Sequence, residues 1–259
     1  MWVVHRLWPT PADAAGPLSD AELEELYDFP AELDRPWIQA NFVSSADGAV
    51  TVDDRSEGLS SPADKRVFLL GRDLADVILV GAGTVLAETY KGAKPGPERM
   101  ERRRRHGLAD TPPIAIVTGR CTIRPYDPVV TDTRVPPIIL TTEAAPAERR
   151  KALADAGAEV VVLGEHTVDL PAAVAMLGER GLRRIDCEGG PHLFGTLIAE
   201  DLVDELCLTV APLLAGAAPG RIAAGPAAEA ARRMRLTSLL HEDGFLLARY
   251  RRDTVTHSE

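Results

Sequence analysis

The chain has 259 residues, 45% of them hydrophobic, which suits one large α/β domain or at most two small ones. Its net charge of −10 speaks against general nucleic-acid binding through a basic surface, and apolar runs as short as VILVGA and PPIIL speak against a transmembrane helix. The opening MWVVHRLWPTPADAAGP lacks the basic start and continuous apolar segment of a secretory signal, so a cytoplasmic location is expected.

Residues 1–18 read as an extended lead segment. Ser19 and Glu22 make a capping box ahead of ELEELY, which predicts a short helix. WIQANFV reads as a strand that runs into a turn at Asp47-Gly48, and TVDDRSEGLS is loop-like. Ser61 and Pro62 then open a helix through SPADKRVFLLGRDLA, where Val67, Leu70 and Leu74 recur at helical spacing and Phe68 widens the buried face. DVILVGA is a short apolar run of the kind a buried strand carries, and TVLAE starts the next helix.

TYKGAKPGPERMERRRRHGLADT differs in composition: it is rich in glycine, proline and charge and reads as an excursion from the core with one short helix. Its ERRRRHG run at 101–107 reads better as a solvated surface than as a phosphate or RNA site. Strands and helices then alternate from PPIAIVTGR to VDELCLTVAPLLAG. The chain closes with RLTSLLHEDG and FLLARYRR, whose HEDG junction marks an antiparallel hairpin. The succession predicts a mixed, mostly parallel sheet with helices on both faces.

Cys121, Cys187 and Cys207 stand singly, with no CxxC, and the histidines form no HExxH, so no structural metal is expected. Two junctions carry more information. In GAGTVL, Gly81 and Gly83 follow a strand, but Leu86 stands where a dinucleotide fingerprint needs a small residue. In EGGP, Gly189 and Gly190 precede Pro191 at a helix start. Each junction can cradle a phosphate or serve as a plain packing turn. A P-loop, a GxSxG elbow and a zinc-deaminase signature are all missing from the sequence.

The order NFVSSADGAV, then SEGLSSPADKRVFLLGRDLADVILVGAGTVLAE, then CEGGPHLFGTLIAEDLVDELCLTVAPLLAG closely resembles the reductase domain of bacterial riboflavin biosynthesis, over roughly residues 36–252. The resemblance implies a dihydrofolate-reductase-like three-layer fold and an NADPH-dependent reductase. It implies a phosphorylated ribosylaminopyrimidine as substrate, reduced at the ribosyl C1′, and a homodimer. It assigns cofactor contacts to Ser44, Gly58, Thr84, Glu88, Thr118, Gly119 and Arg120. It further assigns them to the two glycine regions, Gly81 and Gly83 in the first and Gly189, Gly190, Pro191, His192, Leu193, Phe194, Gly195 and Thr196 in the second. Ser56, Arg72 and Glu188 match substrate contacts, with Arg72 on the phosphate. Asp47, in the family's hallmark turn, is the candidate for proton transfer or for a ribose hydroxyl, though Asp-Gly is equally a plain turn former.

The chain departs from the family where a D-P-x-L segment gives way to AETYKGAKPGP, and Gly58 replaces a bulky aromatic. The residues before Pro36 are too few for the deaminase domain that often accompanies this reductase. The expected organisation is an extension over 1–35, a reductase domain over 36–252 with a basic insertion at 91–110, and a tail over 253–259. Reduction of dihydrofolate or another pterin is the alternative activity. A non-catalytic nucleotide-binding protein is the alternative of a different class.

Overall fold

The computed structural model describes residues 4–9, 16–53, 55–216 and 220–253. The expected tail past residue 253 and part of the lead segment lie outside them. Ten strands form one sheet: β1 (His5–Trp8), β2 (Trp37–Ser45), β3 (Val77–Gly81), β4 (Ile114–Val117), β5 (Ile138–Thr141), β6 (Glu159–Val162), β7 (Arg184–Cys187), β8 (Glu205–Ala211), β9 (Met234–Glu242) and β10 (Phe245–Arg252). Their order is β1-β9-β10-β8-β2-β7-β3-β4-β5-β6. The run from β8 to β6 is parallel, whereas β10 joins β8 and β9 antiparallel, and β1 joins β9 the same way. The mixed, mostly parallel sheet with a C-terminal hairpin is therefore present, and the fold is dihydrofolate-reductase-like. The lead segment is more than an extended arm, because β1 supplies an edge strand.

Eight helices are described: α1 (Asp20–Tyr27), α2 (Pro62–Leu74), α3 (Ala82–Ala87), α4 (Pro97–Arg105), α5 (Pro128–Thr131), α6 (Ala147–Asp155), α7 (Leu170–Glu179) and α8 (Pro191–Ala199). The Ser19–Glu22 capping box forms, and the Ser61 side chain accepts from the Asp64 N–H at the start of α2.

Alternation along the strands sorts side chains to two faces. Ile38, Ala40, Val77, Leu79, Ile185 and Cys187 meet α7 and α8 in one continuous core. The opposite face holds two separate cores. Ile78, Val80, Ile114 and Ile116 pack with α3, α5 and α6, while Cys207, Leu240 and Leu247 pack with α1 and α2. Between them runs a buried polar seam. Register places Asp186 of β7 beside Gln39 of β2, Gln39 beside Glu205 of β8, and Glu205 beside Arg251 of β10.

Candidate active site

A cleft of about 620 Å³ opens where β3 and β7 end, the usual ligand position of an open α/β sheet. Its walls come from mid-β2 (Asn41, Phe42), the 50–60 loop, α2 (Asp64, Phe68, Arg72), α3 with the residues after it (Thr84, Glu88, Tyr90), and Glu188 to Pro191.

At its floor Arg72 donates from Nε and Nη2 to the two Glu188 oxygens, at 2.5 and 2.8 Å, and the Tyr90 hydroxyl donates to Glu188 Oε2 at 2.6 Å. The guanidinium lies over the Phe68 and Tyr90 rings, 4.7 and 5.4 Å from their centroids. The Glu188 side chain is 1% exposed and that of Arg72 is 16% exposed. Burial opposes the Arg72 charge, but the Glu188 carboxylate more than offsets it and holds the guanidinium firmly protonated. Burial, then the Glu188 charge, pushes the Tyr90 phenol well above its ordinary range. Asp186, two residues before Glu188 and on the same face of the strand, is fully buried. Burial and the Glu188 charge drive its carboxyl well above the usual carboxylate range.

The two glycine turns meet. The Gly81 N–H donates to the Gly189 carbonyl at 2.7 Å, and the Glu188 N–H to the Leu79 carbonyl at 2.9 Å. A Cβ on Gly190 would stand 2.4 Å from Thr84 Oγ1, and one on Gly189, where φ is +77°, would stand 2.7 Å from the Phe42 ring. Gly83 faces open space. Pro191 opens α8, and among the described residues the main-chain N–H groups of His192 and Leu193 have no hydrogen-bond partner. A bare glycine cradle beside free N–H donors suits the phosphates of a dinucleotide. The residues present therefore fit the nicotinamide cofactor that the resemblance implies. Glu88 accepts from the Ser56 N–H and Oγ, at 2.9 and 3.0 Å, which ties the 50–60 loop to α3. Gly58 leaves no room for the family's aromatic residue, because a Cβ there would already meet Val52 at 3.0 Å.

Other expected site residues lie outside the cleft lining. Asp47 is occupied elsewhere: it accepts from the Ser45 hydroxyl and from the N–H groups of Ala215 and Gly216, at 3.1 and 2.8 Å, and so staples two loops. These bonds, the Ser45 one first, hold its carboxyl down at about 2. These bonds make Asp47 a fastener between two loops, as the plain turn reading of Asp-Gly allows. Ser44 is buried near the end of β2. Thr118 and Gly119 follow β4, and their carbonyls accept from the Thr141 and Thr142 hydroxyls at 2.7 and 2.8 Å. Arg120 beside them is exposed, and its side chain makes no ion pair among the described residues. The Leu193 and Phe194 side chains are buried in the core, and a Cβ on Gly195 would strike the Ala224 carbonyl at 2.1 Å, so any contact from these three to a cofactor would run through the main chain. His192 is exposed, and Thr196 Oγ1 donates to its carbonyl at 3.0 Å.

The arginine run also differs from its reading as a solvated surface. Arg103 is fully buried; it donates to the carbonyls of Arg72, Asp73 and Ala75 at 2.7, 3.3 and 2.8 Å, and to that of Ala109 at 2.6 Å. It caps the C-terminus of α2 at the residue that reaches Glu188. Burial draws its pKa down to about 10. Arg99 and Arg102 bind Asp73, while Arg102, Arg105 and His106 converge on Glu24.

Sequence reasoning missed Tyr90 and Asp186. Tyr90 falls in the segment read as an excursion and carries no periodic signal. Asp186 was detectable as an acid inside the buried strand RIDC.

Relatives give this geometry a context. The chain is 31% identical over 183 residues to the 2,5-diamino-6-ribosylamino-4(3H)-pyrimidinone 5′-phosphate reductase of Archaeoglobus fulgidus, covering 70% of this chain and 83% of that protein. It is 32% identical over 188 residues to the protein of the same name from Methanothermobacter thermautotrophicus, covering 72% and 82%. Among solved structures, a pyrimidine reductase-like protein from Corynebacterium diphtheriae superposes with a TM-score of 0.75 at 23% identity, covering 85% of this chain and 93% of that one. Residues 36–244 match the RibD C-terminal domain, and the chain belongs to that family.

Proposed function

We propose that the protein is an NADPH-dependent reductase of riboflavin biosynthesis that reduces the ribosyl C1′ of a phosphorylated ribosylaminopyrimidine. The observation that carries this reading is the Arg72–Glu188–Tyr90 cluster at the floor of a cleft whose wall is the paired glycine turns. When bound, the cofactor supplies the hydride. Thr84, Gly190 and the N–H groups of His192 and Leu193 would hold its diphosphate, and exposed Arg120 its 2′-phosphate, which favours NADPH over NADH.

Glu188 orients the polar part of the substrate. Arg72 commits two donor atoms to Glu188, and Nη1, with no hydrogen bond among the described residues, is left to meet the phosphate. Arg55, Lys65 and Lys91 line the same cleft and complete the cationic rim. The Phe68 and Tyr90 rings keep water from the ion pair and hold Arg72 in place. The binding surface positions C1′ for transfer, and this positioning is the protein's main contribution to rate.

The reductase domain spans 36–252 with its insertion at 91–110, acts in the cytoplasm and forms a homodimer. No helix among the described residues is long and apolar enough to cross a membrane. The test is NADPH oxidation with the ribosylaminopyrimidine phosphate and, separately, with dihydrofolate. Turnover of the first is expected. Turnover of the second alone would replace the substrate, and turnover of neither would reject the reductase reading. Fluorescence titration should show tighter binding of NADPH than of NADH, with the preference lost in Arg120→Gln. Sedimentation velocity tests the dimer.

A further inference from the structure

One side chain engages both partners of the active-site ion pair. The Tyr90 hydroxyl donates to Glu188 Oε2 at 2.6 Å, and the Tyr90 ring lies against the Arg72 guanidinium, 5.4 Å from its centroid. Phe68 covers the same guanidinium at 4.7 Å but has no polar atom with which to hold the acid. Tyr90 also lines the cleft.

The backbone brings Tyr90 there against its local preference. Just after α3, Thr89 takes φ +51°, a left-handed conformation that β-branched residues avoid. The turn carries Tyr90 back against α3, where its N–H donates to the Val85 carbonyl at 2.9 Å. Strain of this kind persists only where the surrounding structure holds it, and it gathers at ligand sites. It falls in AETYKGAKPGP, the segment in which the chain departs from the family's D-P-x-L pattern.

Counting donors shows what Tyr90 adds. A carboxylate offers about four acceptor sites. Arg72 Nε takes one on Oε1, Arg72 Nη2 takes one on Oε2, and the Tyr90 hydroxyl takes a second on Oε2. Burial, then the Glu188 charge, keeps the phenol protonated, so it stays a donor. Three donors on two oxygens fix the carboxylate, and with it the planar guanidinium fork that it pairs. Arg72 Nη1 is then left without a hydrogen bond among the described residues, on a side chain that lines the cleft.

We propose that Tyr90 is a positioning residue for the substrate phosphate: with its hydroxyl on Glu188 and its ring on Arg72, it holds Nη1 toward the cleft and so sets where the phosphate, and C1′ with it, comes to rest. This rests on the reductase reading above and on its assignment of Arg72 to the phosphate. Arg55, Lys65 and Lys91 supply attraction from long side chains that line the same cleft. Arg72, held on its acid and on its ring, supplies direction.

The experiment compares the natural chain with Tyr90→Phe, which keeps the ring over Arg72 and deletes only the hydroxyl, and with Tyr90→Leu, which removes both contacts. Each protein is loaded with the oxidised cofactor, so that no turnover occurs, and titrated by calorimetry with the ribosylaminopyrimidine, with and without its phosphate. Tyr90→Phe should weaken binding of the phosphorylated compound about tenfold, and Tyr90→Leu should weaken it further. Binding of the compound without phosphate, and of NADPH, should change less than about twofold in Tyr90→Phe. Equal weakening with and without phosphate would make Tyr90 plain packing support and overturn the proposal, as would unaltered binding of the phosphorylated compound. In steady-state assays kcat/KM for the phosphorylated compound should fall in Tyr90→Phe by at least the factor lost in binding. A smaller fall would show that the position of the phosphate does not govern the reaction, and would also overturn it. Should Tyr90→Leu not fold, Tyr90→Phe decides alone. If the natural chain binds the phosphorylated compound without reducing it, the reductase reading fails while the titrations still decide the role of Tyr90. If it binds both compounds equally, the phosphate assignment of Arg72 falls and the proposal with it.

Discussion

Two buried clusters of arginines and acids flank the C-terminal end of α2, and they are balanced in opposite ways. In the outer clamp, cations outnumber acids. Asp73 and Glu24 are each claimed more than once, and the surplus Arg103 settles on main-chain carbonyls. These carbonyls form the negative end of the helix dipole, so a cation is well placed there. In the cleft floor, acids outnumber cations, because Arg72 serves Glu188 and Asp186 is left unpaired. The clamp gives both of its acids partners, leaves only Arg103 Nη2 among its buried donors without one among the described residues, and serves the fold. The floor retains an electrostatic cost, as sites of chemistry often do.

The sharpest way to break this comparison is Arg72→Met. It removes the floor's one cation and leaves Glu188 and Asp186 together. Loss of about 3–5 kcal/mol in urea unfolding is expected, with activity falling roughly a hundredfold or more. Activity near that of the natural chain would show that the ion pair is not part of the site. Arg103→Met comes next. It strips the carbonyls of Arg72, Asp73 and Ala75 of their donor, and about 2–4 kcal/mol should be lost in the same measurement. Arg103→Lys should recover part of the stability, and kcat/KM should fall far less than in Arg72→Met. An equal fall in both would erase the distinction between clamp and floor.

Gly190→Ala tests the cradle between them. Its new methyl group would meet Thr84 Oγ1, which predicts about 1–3 kcal/mol of destabilisation and weaker NADPH binding by titration. Thr84→Ala in the same chain should restore part of the stability, because the two sites share one contact. The smallest effect belongs to Asp47→Asn. Its carboxyl is held down at about 2, so the natural chain carries that stabilisation above about pH 4 and loses it as pH falls toward 2. Melting temperatures between pH 2 and 5 should show a shallower acid limb in the variant. A large loss of kcat at neutral pH would restore Asp47 to the chemistry.

Much of the local structure was legible in the residues themselves. The Ser19–Glu22 box, the Ser61–Pro62 helix start and the HEDG hairpin lie where their short-range chemistry puts them, because each depends on partners a few residues away. The resemblance singled out Arg72 and Glu188, yet nothing local says that they bind each other across 116 positions of sequence. Leu193 and Phe194 show the converse: they sit in a site-like stretch, but their side chains turn to the core.

By itself the sequence determined the element types, the alternation of buried and exposed positions, and the two glycine turns, since these follow from backbone preference and spacing. Only the tertiary structure decided the sheet order, the edge strand from the lead segment, the burial of Arg103 and the isolation of Asp186. Periodicity states which face a side chain occupies. It does not state which neighbour shares that face, and both the charge balance of the floor and that of the clamp are properties of neighbours.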